Sequence, residues 1–133
     1  MPQTLTIADL PELPAVVIRI SREWREGLSE AQLYERVRRY WKIQPEKRLR
    51  PPVLAYGVAE GVIQAVYWID GWETYDMAME PKAPDRVDQS AHMPGQRLGF
   101  VGRPAPEYAH LLGQVLADAP LGQNPVTYVR CTV

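Results

Sequence analysis

Short apolar runs rich in β-branched residues recur along the chain and predict strands. They lie at residues 15–20, 53–58, 62–69, 97–101 and 125–129. Ala59-Glu60-Gly61 predicts the turn of a hairpin between the second and third runs. Residues 62–69 are apolar on both alternating faces, which is typical of a central strand covered on both sides. Three prolines before the first run predict an extended lead-in over residues 1–14.

A helical pattern begins at Ser29, because Ser29 and Gln32 match a capping box. The apolar positions that follow recur at helical spacing and form one stripe, made of Leu33, Tyr34, Val37, Tyr40 and Trp41. The same spacing places Arg36 and Arg39 on the solvent side of the helix and Arg38 near the edge of the stripe. The sequence therefore predicts one amphipathic helix that packs on the strands.

A second helix is predicted near Pro106, because apolar residues at positions 105, 108, 109, 112 and 116 form another stripe. Residues 73–96 mix prolines, acids and methionines without periodicity, which predicts a long irregular loop. Hairpin-linked strands with separate helices favour the α+β class. We therefore predict a single domain over residues 1–133, a small partly closed, mainly antiparallel β-barrel or curled sheet with two helices.

Composition narrows the class of protein. The chain has 133 residues, 46% hydrophobic and 23% charged, which matches one globular domain with one core. Its net charge of −1 excludes a generally basic nucleic-acid-binding coat and leaves only a local basic patch. No apolar run reaches the roughly 18–20 residues of a membrane-spanning helix. One cysteine and an N-terminus unlike a secretion signal predict a cytoplasmic protein.

The densest charge pattern in the chain is basic. Seven cations occupy fifteen consecutive positions beside a single acid, Glu46. They are Arg36, Arg38, Arg39, Lys42, Lys47, Arg48 and Arg50. Cations at a helix end and in the following loop are typical of a phosphate-binding surface, so these are the candidate nucleic-acid contacts. The alternative is a solvated helix end whose cations complement the helix dipole.

Aromatic residues provide the second candidate site. The chain has four tryptophans, and indole or phenol rings stack well on a base or another flat ligand, provided that polar groups orient it. The candidate pocket residues are Arg19, Trp41, Tyr56, Tyr67, Trp72, Arg97, Arg103, Gln123 and Asn124. The alternative is that the tryptophans belong to an ordinary core and that Gln123-Asn124 only forms a helix end and a turn.

Catalytic and metal chemistry have little support in the sequence. His92 and His110 have no partner at metal-ligand spacing. Cys131 is a lone thiol, more typical of a small strand residue than of a nucleophile. The glycines form no phosphate-binding loop. We therefore predict no catalytic residue, no metal site and no cofactor.

Short segments between Ala15 and Cys131 carry a family resemblance. They are Leu33-Tyr34-Glu35 with Arg38 and Trp41, Leu54-Ala55-Tyr56, Val66-Tyr67, Gly71-Trp72, Phe100-Val101-Gly102-Arg103, and Gln123-Asn124-Pro125 with Tyr128-Val129-Arg130-Cys131. Together they resemble a small bacterial module without assigned function that stands alone or beside GIY-YIG-type nuclease domains. The nuclease motif itself is absent, so the resemblance implies no nuclease activity. The element order is also similar to PUA, ASCH and EVE-type barrels, which commonly bind RNA or modified bases, although fold alone does not establish function.

These observations support three hypotheses of different classes. The leading one is a module that binds RNA, DNA or a nucleotide, with a base in the aromatic pocket and phosphates on residues 36–50. The second is a protein-interaction or regulatory subunit that contacts its partner through the acidic, methionine-rich loop at 73–96. The third, from the ASCH-like resemblance, is a small hydrolase of modified nucleosides. None of the three involves a membrane.

Overall fold

The computed structural model describes residues 3–20, 24–39, 41–76, 96–119 and 125–132, and within these ranges one mixed β-sheet carries one α-helix. The strands are β1 (Thr4–Leu5), β2 (Ala15–Arg19), β3 (Leu54–Ala59), β4 (Val62–Asp76), β5 (Gln96–Pro104), β6 (Val115–Leu116) and β7 (Val126–Val129). The helix α1 spans Glu30–Arg38. The predicted α+β class is confirmed.

The sheet is open. Its strand order is β1-β6-β4-β3-β2-β7, and β5 pairs with the second half of β4. Most neighbours are antiparallel, but β2 is parallel to β3, with α1 in the connection between them, and β1 is parallel to β6. Because β1 and β7 end the order without pairing with each other, the described strands do not close into a barrel, and that form of the prediction is wrong.

The predicted hairpin joins β3 to β4. Glu60 and Gly61 have φ values of 55° and 76°, the left-handed pair of a type I′ turn. β4 then continues through Asp70-Gly71, because a bulge between Ile69 and Gly71 absorbs the irregularity without ending the strand. The prediction of an irregular segment over residues 73–96 is therefore wrong at both ends, because residues 73–76 belong to β4 and pair with residues 96–99 of β5. Residues 77–95 lie outside the described residues.

The start of α1 follows the predicted capping box. The Ser29 hydroxyl accepts a hydrogen bond from the Gln32 backbone N–H at 3.1 Å, and the Gln32 side-chain oxygen accepts one from the Ser29 N–H at 3.0 Å. Val37 packs against Gly57 of β3, where a Cβ would lie 2.6 Å from a Val37 methyl carbon. A glycine at this position therefore lets α1 approach the sheet closely.

The end of α1 comes earlier than the apolar stripe predicts. The helix stops at Arg38, and Trp41 forms a β-bridge with Leu98 of β5 through backbone hydrogen bonds of 2.9 Å in both directions. Trp41 is buried, as its place on the stripe suggests, but it is buried as an extra pairing partner of β5 rather than as a helical residue.

The second predicted helix is present but short, because it is a 3-10 helix that ends before the later positions of the predicted stripe. Pro106–Leu111 forms a short 3-10 helix, and Val115–Leu116 is strand β6. Gly113 has a φ of 84° and ends the helical turn, and its N–H donates to the Ile63 carbonyl at 2.8 Å. Pairing with the sheet edge thus replaces the later turns that the apolar spacing predicts.

The N-terminal lead-in is more structured than predicted. It contains β1 and a 3-10 turn at Ile7–Asp9. The Arg130 guanidinium donates to the carbonyl oxygens of Ala8, Leu10 and Pro11 at 3.1 to 3.2 Å. This clamp seats Leu10 in the core, where it is almost fully buried.

Apolar side chains cover both faces of the sheet. Val17 and Tyr56 belong to the cluster on one face, and Val16 and Phe100 to the cluster on the other, which α1 covers. Consecutive residues of β2 fall into opposite clusters because side chains alternate along a pleated strand. Within the described ranges, no helix combines the length and the hydrophobicity that crossing a bilayer would require.

Candidate functional site

A cleft of about 320 Å³ lies where the first turns of α1 face β4 and the end of β5. Its walls combine two tyrosines and apolar side chains with one carboxylate and one amide. The lining residues are Glu30, Ala31, Leu33, Tyr34, Gln64, Ala65, Val66, Tyr67, Gly102, Pro104 and Leu112. Small-molecule sites span about 300–1,000 Å³, so this tyrosine cleft is large enough for a small organic ligand.

Tyr34 of α1 and Tyr67 of β4 form the aromatic part of the tyrosine cleft. Their ring centroids lie 5.2 Å apart at an interplanar angle of 66°, an edge-to-face arrangement. Burial raises the pKa of the Tyr67 hydroxyl, and the neighbouring Tyr34 and Glu30 raise it further. Tyr67 is therefore a neutral hydroxyl at ordinary pH and is able to donate a hydrogen bond.

The outer edge of β5 is held by α1 and the residues that follow it. Leu98 pairs with Trp41, the Phe100 carbonyl accepts from Arg38 Nε at 3.0 Å, and the Gly102 N–H donates to the Tyr34 hydroxyl oxygen at 2.9 Å. These three contacts fall on alternate residues of β5, which point their backbone groups to the same side. The edge of β5 that faces away from β4 therefore has hydrogen-bond partners at these three residues. The contact with Gly102 also fixes Tyr34 at the wall of the cleft.

Arg38 of the basic segment forms several hydrogen bonds within the protein. Its side chain also donates to Glu35 at 3.2 Å, to Glu73 at 2.8 Å and to the Tyr75 hydroxyl at 2.9 Å. Burial alone would lower the pKa of Arg38, but Glu35, Tyr75 and Glu73 outweigh it and raise that pKa. Arg38 is therefore permanently charged, and its donors face protein acceptors rather than solvent.

Arg36 and Arg39 also differ from solvated cations. Arg36 is 3% exposed, so its predicted solvent-facing position is wrong. Its side chain folds back along α1 and donates to the Gln32 carbonyl at 3.3 Å. Arg39 is partly buried, forms an ion pair with Glu35 at 3.0 Å and lies over the Tyr75 ring.

The rest of the basic segment lies after α1 and is more open. Lys42, Lys47 and Arg50 are exposed. Arg48 is partly buried, with its guanidinium carbon 4.0 Å from the centre of the Tyr128 ring. The structure therefore divides the seven candidate cations into three packed arginines in and directly after α1, the partly buried Arg48 and three exposed cations of the loop, and none of them lines the tyrosine cleft.

The structure divides the predicted aromatic pocket residues between the two faces of the sheet, with Trp41, Tyr67 and Trp72 in one apolar cluster and Tyr56 in the other. Tyr67 lines the tyrosine cleft, whereas Tyr56 lies on the other face of the sheet. Burial raises the pKa of Tyr56, whose hydroxyl has no hydrogen-bond partner among the described residues. Trp41 is in the core and donates from its indole N–H to the Val37 carbonyl at 2.7 Å.

The other described residues of the predicted pocket do not line the tyrosine cleft either. Trp72 is half-buried, with its ring edge-to-face against Phe100 at 6.3 Å. Arg103 is exposed and pairs with Asp70 across β4 and β5. Arg19 ends β2 and Arg97 lies on β5, both partly buried. Gln123 and Asn124 lie outside the described residues, as does most of the partner-binding loop predicted at 73–96.

Cys131 and His110, the described thiol and imidazole candidates, lie in different environments. Cys131 is buried, and its thiol lies 3.4 Å from the Ala15 carbonyl oxygen. Burial raises the pKa of this thiol, which opposes formation of a nucleophilic thiolate. His110 is exposed, and His92 lies outside the described residues. No three histidine, cysteine or carboxylate residues of the described ranges come close enough to hold a metal ion.

Sequence reasoning missed most of the tyrosine cleft. The apolar pattern places Tyr34 on the buried helix stripe and gives no role to Glu30. Both lie in the first turns of α1, and the cleft exists only because those turns face β4. The one available signal was the apolar, aromatic character of residues 65–67, which marks the strand but not its partner.

Comparison with protein-family models, with curated proteins and with solved structures found no match for this chain. The resemblance to the small bacterial module therefore stays a prediction, and the function is argued from the geometry of the site.

Proposed function

We propose that this protein is a binding module that takes a small, flat organic ligand in the tyrosine cleft. The observation that carries the proposal is the edge-to-face pair of Tyr34 and Tyr67 on the wall of an open cleft of about 320 Å³. Aromatic walls offer apolar contact and stacking to any flat ring, a nucleobase included. Tyr67, one of the aromatic residues predicted for a nucleotide pocket, therefore keeps that role in this proposal, with Tyr34 beside it.

The polar groups of the tyrosine cleft suit orientation of such a ligand. The Tyr34 oxygen accepts from the Gly102 N–H, which leaves its own hydrogen available to donate. Tyr67 offers a second hydroxyl, and Gln64 offers an amide at the cleft wall. A few polar groups within an apolar lining are the usual composition of a small-molecule site.

Blocking the cleft tests the proposal. Ala31 is exposed on α1 and lines the cleft, so Ala31→Trp fills the cleft without emptying the core. Ala109→Trp is the matched control, because Ala109 is exposed and does not line the cleft. Saturation-transfer NMR with adenosine and 2-naphthalenemethanol should show binding to the wild type and to the control, and a loss for Ala31→Trp. Equal signals from both variants, or none from the wild type, would refute the proposal.

A second candidate function is nucleic-acid binding by the exposed loop of the basic segment. Its specific support is the exposure of Lys42, Lys47 and Arg50 within nine residues. Phosphate contacts release counterions, so binding measured by fluorescence anisotropy should weaken steeply between about 50 and 200 mM salt. Lys47→Glu should reduce the affinity, whereas Arg103→Glu, an equal charge change outside the segment, should not. Binding that ignores both salt and Lys47→Glu would exclude this function.

A further inference from the structure

The tyrosine cleft has an uneven charge. Among the lining residues that the structure describes, the only ionised side chain is the carboxylate of Glu30, the first residue of α1. Glu30 is exposed, so its charge lies where the cleft meets solvent. None of the described arginines or lysines lines the cleft.

The arginine that lies over the Tyr34 ring does not cancel this charge. The guanidinium carbon of Arg38 lies 5.4 Å from the centre of the Tyr34 ring. Arg38 and Arg39 are themselves paired with Glu35 and Glu73, so these four residues together carry no net charge. Burial raises the pKa of Tyr67, and the nearby Tyr34 and Glu30 raise it further.

The aromatic walls reinforce the same preference. The face of a tyrosine ring carries negative charge density and attracts cations, with the strongest effect where water is partly excluded. Tyr67 is 6% exposed and Tyr34 is partly buried. An ammonium group at the mouth of the cleft would therefore meet the Glu30 carboxylate with the aromatic walls beside it, whereas an anion there would be repelled by Glu30.

We propose that the tyrosine cleft selects an organic monocation, an amine or quaternary ammonium attached to a flat apolar body, with Glu30 as its counter-ion. This inference rests on the proposed binding function and adds the charge class of the ligand. The ring of the ligand takes the contact with Tyr34 and Tyr67, and the ammonium group lies toward the mouth beside Glu30.

Three probes of equal size separate charge from shape. They are 2-naphthylmethylamine, which is a cation at pH 7, 2-naphthalenemethanol, which is neutral, and 2-naphthoate, which is an anion. Dissociation constants come from NMR titration of the labelled protein at low salt. We expect the cation to bind about fivefold more tightly than the alcohol, the solvent-screened value for a charge pair about 4 Å apart, and the anion to bind most weakly.

Charge removal assigns the preference to Glu30. Glu30→Gln should make the cation and the alcohol bind equally, with the affinity for the alcohol unchanged. Glu12→Gln, an equal charge change at an exposed position outside the cleft, should keep the preference. If the wild type binds the alcohol without preferring the cation, or if Glu30→Gln keeps the preference, the inference is wrong while the cleft proposal stands. If none of the three probes binds, both proposals fail.

Discussion

Arg38→Met tests whether a buried guanidinium stabilises this fold. Arg38 is 8% exposed and donates to the carbonyl oxygen of Phe100, a fully buried residue, at 3.0 Å. Methionine keeps most of the packing of the aliphatic stem but leaves that carbonyl without its donor, at a cost of about 1–3 kcal/mol. The ion pairs with Glu35 and Glu73 add about 0–1 kcal/mol each, because both carboxylates are nearly half-exposed. We expect a total loss of about 3 kcal/mol.

Glu73→Gln is the matched comparison, since it removes one partner of the same network from its exposed side. The Glu73 side chain is 49% exposed, so its replacement should lower the free energy of unfolding by less than about 1 kcal/mol. Urea unfolding of the wild type and both variants measures the difference. Replacing a buried charge by an apolar side chain is neutral in some proteins, because it also removes a desolvation cost. If Arg38→Met is as stable as Glu73→Gln, that cost cancels the hydrogen bonds and our reasoning is refuted.

Three further predictions concern acid stability, backbone proximity and thiol reactivity. Hydrogen bonds from Tyr75 and Arg38 lower the pKa of Glu73 below its ordinary value of 4.5. Its stabilisation is therefore present above that pH and is lost as the pH falls through the lower pKa of the folded state. The stability difference between the wild type and Glu73→Gln should shrink from pH 6 to pH 3, and a constant difference would contradict this. Gly99→Ala should lower stability by about 1–3 kcal/mol, because its Cβ would lie 2.7 Å from the Arg38 carbonyl oxygen. Gly71→Ala, with open space around its Cβ, should change the melting temperature much less, and equal shifts would refute the steric argument. Cys131 should resist iodoacetamide at pH 8 in the folded protein and react in urea, whereas fast native alkylation would contradict its burial.

The elements that sequence reasoning predicted well are those whose causes are local. The capping box joins Ser29 to Gln32, three positions away, and it marks the start of α1 correctly. Glu60-Gly61 adopts the positive φ values that a two-residue hairpin needs. In both places the residues that decide the conformation are neighbours in the chain, so the pattern contains the information.

The errors have long-range causes. Trp41 leaves the helical stripe because Leu98, more than fifty positions later, offers it a β-bridge. The strand predicted at residues 62–69 stops before Asp70-Gly71, which has the composition of a turn. β5 pairs on both sides of this dipeptide, so it becomes a bulge and β4 continues. The tyrosine cleft also has a long-range cause, since it joins α1 to β4 and neither segment predicts that contact alone.

The position of β2 in the sheet has a consequence for how this chain folds. β2 has four of its five residues buried, and its second neighbour is β7, over a hundred positions later in the chain. During synthesis, β2 and β3 are therefore complete long before β7 leaves the ribosome. Until then the apolar strand β2 has one edge without a pairing partner. Pairing across such a separation is slow, and unpaired apolar edges promote association between chains. The yield of folded protein thus depends on β7, and a chain truncated before residue 126 keeps an unpaired, aggregation-prone edge on β2.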